Sequence, residues 1–177
     1  MSIATRVLRD WSGIIFVVAL IIGLLGEPAE LSPRTVIFLG IAVLAYVLLW
    51  HNFARLAAVA GSLSYRRGLP VAAVGIAAPF LAAVDYSIAG RVGWVLLGLA
   101  MLAVARTILR GPPLPDGFAW LSGFFGIAMV VVVATRGENN ISAGPVFVVI
   151  GWSISMSVMY ILWGHPEDHN TGRHIRR

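Results

Sequence analysis

Six apolar segments, separated by arginine, proline, glycine or acidic residues, constrain this chain more than any other feature. A helix that crosses a bilayer needs about 20 mostly apolar residues. Segments of roughly that kind run over 11–26, 33–56, 69–85, 89–108, 117–135 and 144–164. The first is stopped by Glu27 and Pro28. The second opens at Ser32-Pro33, a helix cap followed by proline at the first helical position. Asp116 is a similar cap for the fifth. Turn signals stand between segments at Arg66-Arg67-Gly68, Gly111-Pro112-Pro113 and Gly137-Glu138-Asn139-Asn140. Hydrocarbon cannot satisfy a backbone hydrogen bond, so spans of this kind are expected to be helices. Runs such as Ile14–Ile22 and Met129–Ala134 do not alternate in polarity, as strands of a membrane barrel would.

Composition agrees. Hydrophobic side chains make up 59% of the 177 residues and charged ones 12%, against about 25% charged in an average soluble domain. A soluble fold of this size has too much surface to hide that much apolar material. An ordinary soluble enzyme, a disordered chain and a disulfide scaffold are excluded. A nucleic-acid partner is not expected, despite the net charge of +5. All 13 basic residues are arginine, so no lysine can form a Schiff base. There is no cysteine, hence no thiol nucleophile and no cysteine-ligated metal. Residues 1–10, with Arg6 and Arg9, resemble the start of a signal peptide. No small-residue cleavage site follows and further spans do, so a retained first helix is expected.

The arginines set an orientation. With six helices, one side holds Arg6, Arg9, Arg55, Arg66, Arg67, Arg106, Arg110, Arg173, Arg176 and Arg177. The other holds Arg34, Arg91 and Arg136, while the acids divide evenly. Cytoplasmic loops carry the basic excess, so both termini are expected in the cytoplasm. The fold class expected is therefore an all-α membrane protein, six transmembrane helices as three hairpins, N-in/C-in. It forms a single polytopic domain with a basic tail over 165–177, in a bacterial-type cytoplasmic (inner) membrane. The fourth span is short, with 14 uncharged residues between Arg91 and Arg106; arginine stems lying along lipid lengthen it. Trp11, Tyr65, Trp120 and Trp163 on one side, and Tyr86 and Trp94 on the other, fit interfacial aromatic belts.

The first and last hairpins echo each other. Trp11-Ser12-Gly13 opens one and Trp120-Leu121-Ser122-Gly123 the other, and Gly40 and Gly151 sit inside their second helices. The spacing of Gly13, Gly23, Pro28 and Gly40 faintly resembles repeats in small bacterial acid-resistance membrane proteins. Residues this common in membrane helices identify no family, and the resemblance implies nothing further here.

Few groups can carry chemistry. An ionisable side chain inside a membrane helix is the first place to look. His51, with Asn52 and Arg55, forms a candidate polar site at the cytoplasmic end of the second span. Asp85 and Arg91, with Glu27 and Asn139, form a candidate polar site at the outer face. Gly151 and Ser155, Ser153 and Ser157, and Ser122 and Gly126 are each four residues apart. Small residues at that spacing let helices approach closely, so these six are expected to be packing positions. In the tail, His165 and His169 flank Glu167 and Asp168, but Pro166 interrupts them and no second cluster exists; no metal and no cofactor are expected. The Arg173, His174, Arg176, Arg177 end suits anionic lipid. No nucleophile elbow, metalloprotease motif, phosphate loop or paired intramembrane carboxylates occur. The expected role is a non-enzymatic accessory, assembly or regulatory subunit that contacts a membrane-protein partner or further copies of itself. The alternative is a small-solute permease, a channel or the substrate-binding membrane component of a transporter.

Overall fold

A computed structural model describes residues 3–24, 32–59, 65–84, 88–110, 116–135 and 143–163. These form seven helices: α1 (Ile3–Asp10), α2 (Ser12–Leu24), α3 (Pro33–Val59), α4 (Tyr65–Val84), α5 (Ile88–Arg110), α6 (Asp116–Thr135) and α7 (Ala143–Trp163). Four contain stretches long and apolar enough to cross a membrane: Pro33–Arg55, Gly90–Arg110, Asp116–Thr135 and Gly144–Leu162. They mark a membrane-embedded protein.

The helical ladder of α1 runs on into α2. The Trp11 amide donates to the Val7 carbonyl at 3.0 Å, and the Ile15 amide to the Trp11 carbonyl at 2.8 Å. At 1.5 Å per residue the 13 residues of α2 reach only about 20 Å. Together with α1 the rod is about 33 Å long, the thickness of a hydrocarbon core. The first apolar segment thus gains length at its polar start, ahead of residue 11. Ser32 caps α3 as its sequence implies: its hydroxyl accepts from the Thr35 amide at 3.2 Å. The helix of the third apolar segment begins earlier than residue 69: Arg66, Arg67 and Pro70 are all taken into α4.

Each of α2 to α7 packs on the next in sequence, and α7 closes back on α2. Contact is as intimate across the expected hairpin divisions as within them, and α5 with α6 is the most extensive pair. Glycine sets that distance. A Cβ on Gly126 would sit 2.8 Å from the Gly98 carbonyl oxygen. The core runs along α3, α5 and α7, through Leu49, Trp50, Leu97, Met101, Trp152 and Met159. Outward faces are apolar as well: Leu44, Trp120, Phe124 and Phe147 are all exposed. Arg55, Arg66, Arg67, Arg106 and Arg110 are exposed too, where α3 and α5 end and α4 begins.

Candidate functional site

Two arrangements hold the groups that could do something: a polar seam at the arginine-rich end and an apolar crevice in the opposite half. The seam begins with an inversion. At the N-terminal helix Val7, Leu8 and Trp11 face out, while Asp10 is only 8% exposed. Its carboxylate pairs with the adjacent Arg9 Nε at 2.8 Å. Outward hydrocarbon and inward charge is the pattern of a helix whose surroundings are less polar than its neighbours. The sequence reading gave Asp10 no role. Its only signal was a carboxylate beside the first apolar residue.

The seam continues through Asn52, whose side-chain amide donates to the Arg9 carbonyl at 2.9 Å. Asn52 is buried, His51 half-buried and Arg55 exposed. Of the expected His51–Asn52–Arg55 site, Asn52 ties α3 to α1, while Arg55, three residues further along the same helix, is exposed. Tyr160 of α7 donates to the Leu49 carbonyl of α3 at 3.3 Å.

The packing positions fall on two faces of α7. Ser153 and Ser157 meet α2, where the Ser157 hydroxyl accepts from the Gly13 amide at 2.7 Å. A side chain at Gly13 would strike the Ser153 carbonyl oxygen. Gly151 instead meets the Phe125 ring of α6. Ser155 bonds within its own helix, to the Gly151 carbonyl at 2.9 Å, so it does not bridge helices. Ser122 accepts from the Trp152 indole at 3.2 Å and lies 3.8 Å from the Met156 sulfur. The buried hydroxyls of Ser12 and Ser153 and the Trp50 indole nitrogen have no hydrogen-bond partner.

Of the expected outer-face site, Arg91 is half-buried in the first turn of α5. Glu27, Asp85 and Asn139 lie outside the described residues, as does the histidine- and arginine-bearing tail. Among the described residues no group of three or more metal-ligating side chains comes together.

The crevice occupies about 410 Å3. Phe16 and Leu20 of α2, Leu39, Ala42, Val43 and Tyr46 of α3, Pro79 and Phe80 of α4, Trp94 of α5, and Val146 and Val149 of α7 line it. Trp94 is half-buried and forms part of this wall. A smaller recess of about 250 Å3 on the α2–α3 seam is also apolar.

One wall of the crevice is set by a proline. A helical carbonyl accepts from the amide four residues on, and proline has none. Pro79 therefore releases the Gly75 carbonyl, and the Tyr46 hydroxyl donates to it at 3.1 Å. The next inward residue on that face of α3, Trp50, lies flat against Gly75, where any Cβ would collide with its ring. Phe16, Tyr46, Trp50 and Trp152 continue as a chain of ring contacts: Phe16–Tyr46 and Trp50–Trp152 are tilted, with centroids 4.9 and 4.7 Å apart, and Tyr46 meets Trp50 edge-on at 6.3 Å. These rings close the crevice toward the arginine-rich end. Pro79 was legible in the sequence; its partner, 33 residues away, was not. The sequence matches no protein family and no curated protein, and the fold matches no solved structure.

Proposed function

We propose that this chain is a non-catalytic, six-span protein of a bacterial-type cytoplasmic membrane, with both termini in the cytoplasm. In this reading it is an accessory, assembly or regulatory subunit that works through its helix faces. The three expected hairpins enter the bilayer in turn and close into the ring described above.

The use of the buried polar groups carries this reading. Ser157, Asn52, Tyr46, Tyr160 and the Trp152–Ser122 pair each tie one helix to another. Bonds of that kind build a rigid scaffold, and they use most of the buried side-chain polar atoms described above, those of Ser12, Ser153 and Trp50 apart. The exposed arginines at one end support the orientation. The subunit reading is tested by purification from native membranes in mild detergent, with quantitative mass spectrometry. A membrane partner at fixed stoichiometry is expected. It should be lost on Phe124→Ser or Leu44→Ser, outward positions that leave the core intact. A lone chain that moves solute across liposomes overturns this reading.

The second reading, a solute-handling membrane component, is favoured by the crevice. Its lining restricts it to apolar solutes. If the outer-face polar site serves such a path, Asp85→Asn and Arg91→Gln abolish uptake.

A further inference from the structure

We propose that the crevice between α2, α3, α4, α5 and α7 holds one acyl chain of a bilayer phospholipid. The chain enters from the leaflet opposite Arg55, Arg66, Arg67, Arg106 and Arg110. This goes beyond the subunit reading and does not depend on it.

The chemistry of the walls selects the occupant. A water needs two to four polar partners. The lining offers one side-chain polar atom of consequence, the Tyr46 hydroxyl, and that already donates to Gly75. The Trp94 indole is the other candidate donor, at the rim. A polar solute meets the same obstacle, because a polar group buried there would have no partner. An apolar occupant is required.

Size selects further. The volume of about 410 Å3 falls within the range of about 300–1,000 Å3 in which ligand pockets lie. One slender flexible chain fits a crevice of this size.

Position selects the source. The lining is drawn from the C-terminal half of α4 and the N-terminal portions of α3, α5 and α7, all in the half away from Arg55, Arg66, Arg67, Arg106 and Arg110. Tyr46 and Phe16 close the inner end. Val43 and Phe80 stand at the rim, 39% and 46% exposed, and open toward the surroundings rather than into a sealed void. In a membrane those surroundings are lipid tails. The smaller recess on the α2–α3 seam lacks this depth, being walled by two helices only.

The test uses the full chain in nanodiscs of phosphatidylcholine with a photoactivatable diazirine on one acyl chain. After illumination, labelled residues are mapped by peptide mass spectrometry. Labelling at Leu39, Val43, Phe80 and Val146 is expected several-fold above that at Phe124 and Ile127, which face lipid on α6. Filling the crevice with Ala42→Phe removes the excess and leaves Phe124 unchanged. Because Ala42 is tightly packed, Val146→Phe at the mouth provides a second block, with thermal unfolding as the check of fold. Labelling at the crevice no stronger than on α6, or unaltered by both blocking variants in folded protein, overturns the proposal. So does labelling by a diazirine fatty acid but not by the phospholipid, or the appearance of the excess in detergent micelles alone.

Discussion

The bond between Tyr46 and Gly75 exists because of Pro79, and a double-mutant cycle can show it. Tyr46→Phe removes one hydroxyl and little volume. In the native chain it leaves the Gly75 carbonyl, already denied its helical partner, without a donor in the interior. An orphaned buried acceptor costs about 1–3 kcal/mol. Interhelical hydrogen bonds inside membranes average nearer 0.6 kcal/mol and reach about 1.7. At 3.1 Å between two neutral groups, and with no water at that depth to replace the donor, a loss of about 1 kcal/mol is expected. Pro79→Ala returns an amide that can bond Gly75 within α4. In that background Tyr46→Phe should cost close to nothing, so the coupling energy is again about 1 kcal/mol. Reversible unfolding in bicelles, by steric trapping or denaturant titration, measures all four corners of the cycle. Equal loss from Tyr46→Phe in both backgrounds would refute the reasoning, since the hydroxyl would then be acting on something other than the carbonyl that proline frees.

Other outcomes follow from the same contacts. Gly13→Ala drives a methyl into the Ser153 carbonyl and should destabilise the protein by about 1–3 kcal/mol, as overpacking does, whereas Gly40→Ala, where a Cβ meets nothing within 4 Å, should be neutral or stabilising under the same unfolding assay. Ser157→Ala deprives the Gly13 amide of its acceptor and should cost about 1 kcal/mol; no change in unfolding would show that Ile14 and Gly13 find another partner. Asp10→Asn breaks the largely buried pair with Arg9 and should lower stability by an amount up to about 3–5 kcal/mol, the range for losing one member of a buried pair. The chain has no cysteine, so single cysteines at Ser2 and Thr171 report cleanly on topology: in intact cells neither should react with an impermeant maleimide, and labelling of either without lysis contradicts the cytoplasmic placement.

Much of the architecture could be read locally. Ser32-Pro33 announced the start of α3, and the apolar runs announced helices, because in hydrocarbon a backbone can bond only to itself within a short segment. Gly126 and Ser157, which the small-residue spacings single out, stand at helix contacts, and Ser153 is buried beside Gly13. The candidate polar sites were less legible. His51, Asn52 and Arg55 are neighbours in sequence, yet Asn52 is buried against α1 and Arg55 is exposed, because which part of α3 is covered depends on where α1 packs. Ser155 matches the spacing of a bridging serine but bonds its own turn.

The medium of this protein, its helical character and the segregation of its arginines are properties of short stretches of chain, each decided by transfer energies that add residue by residue. Those the sequence determines unaided. Which aromatic plugs the bundle, which carbonyl Tyr46 reaches, whether Asp10 faces water or neighbours, and that Trp94 lines a recess depend on the rotation and approach of helices distant along the chain. Packing decided these, because between helices in lipid close fit and a few hydrogen bonds hold the assembly, and neither leaves a mark on any single segment.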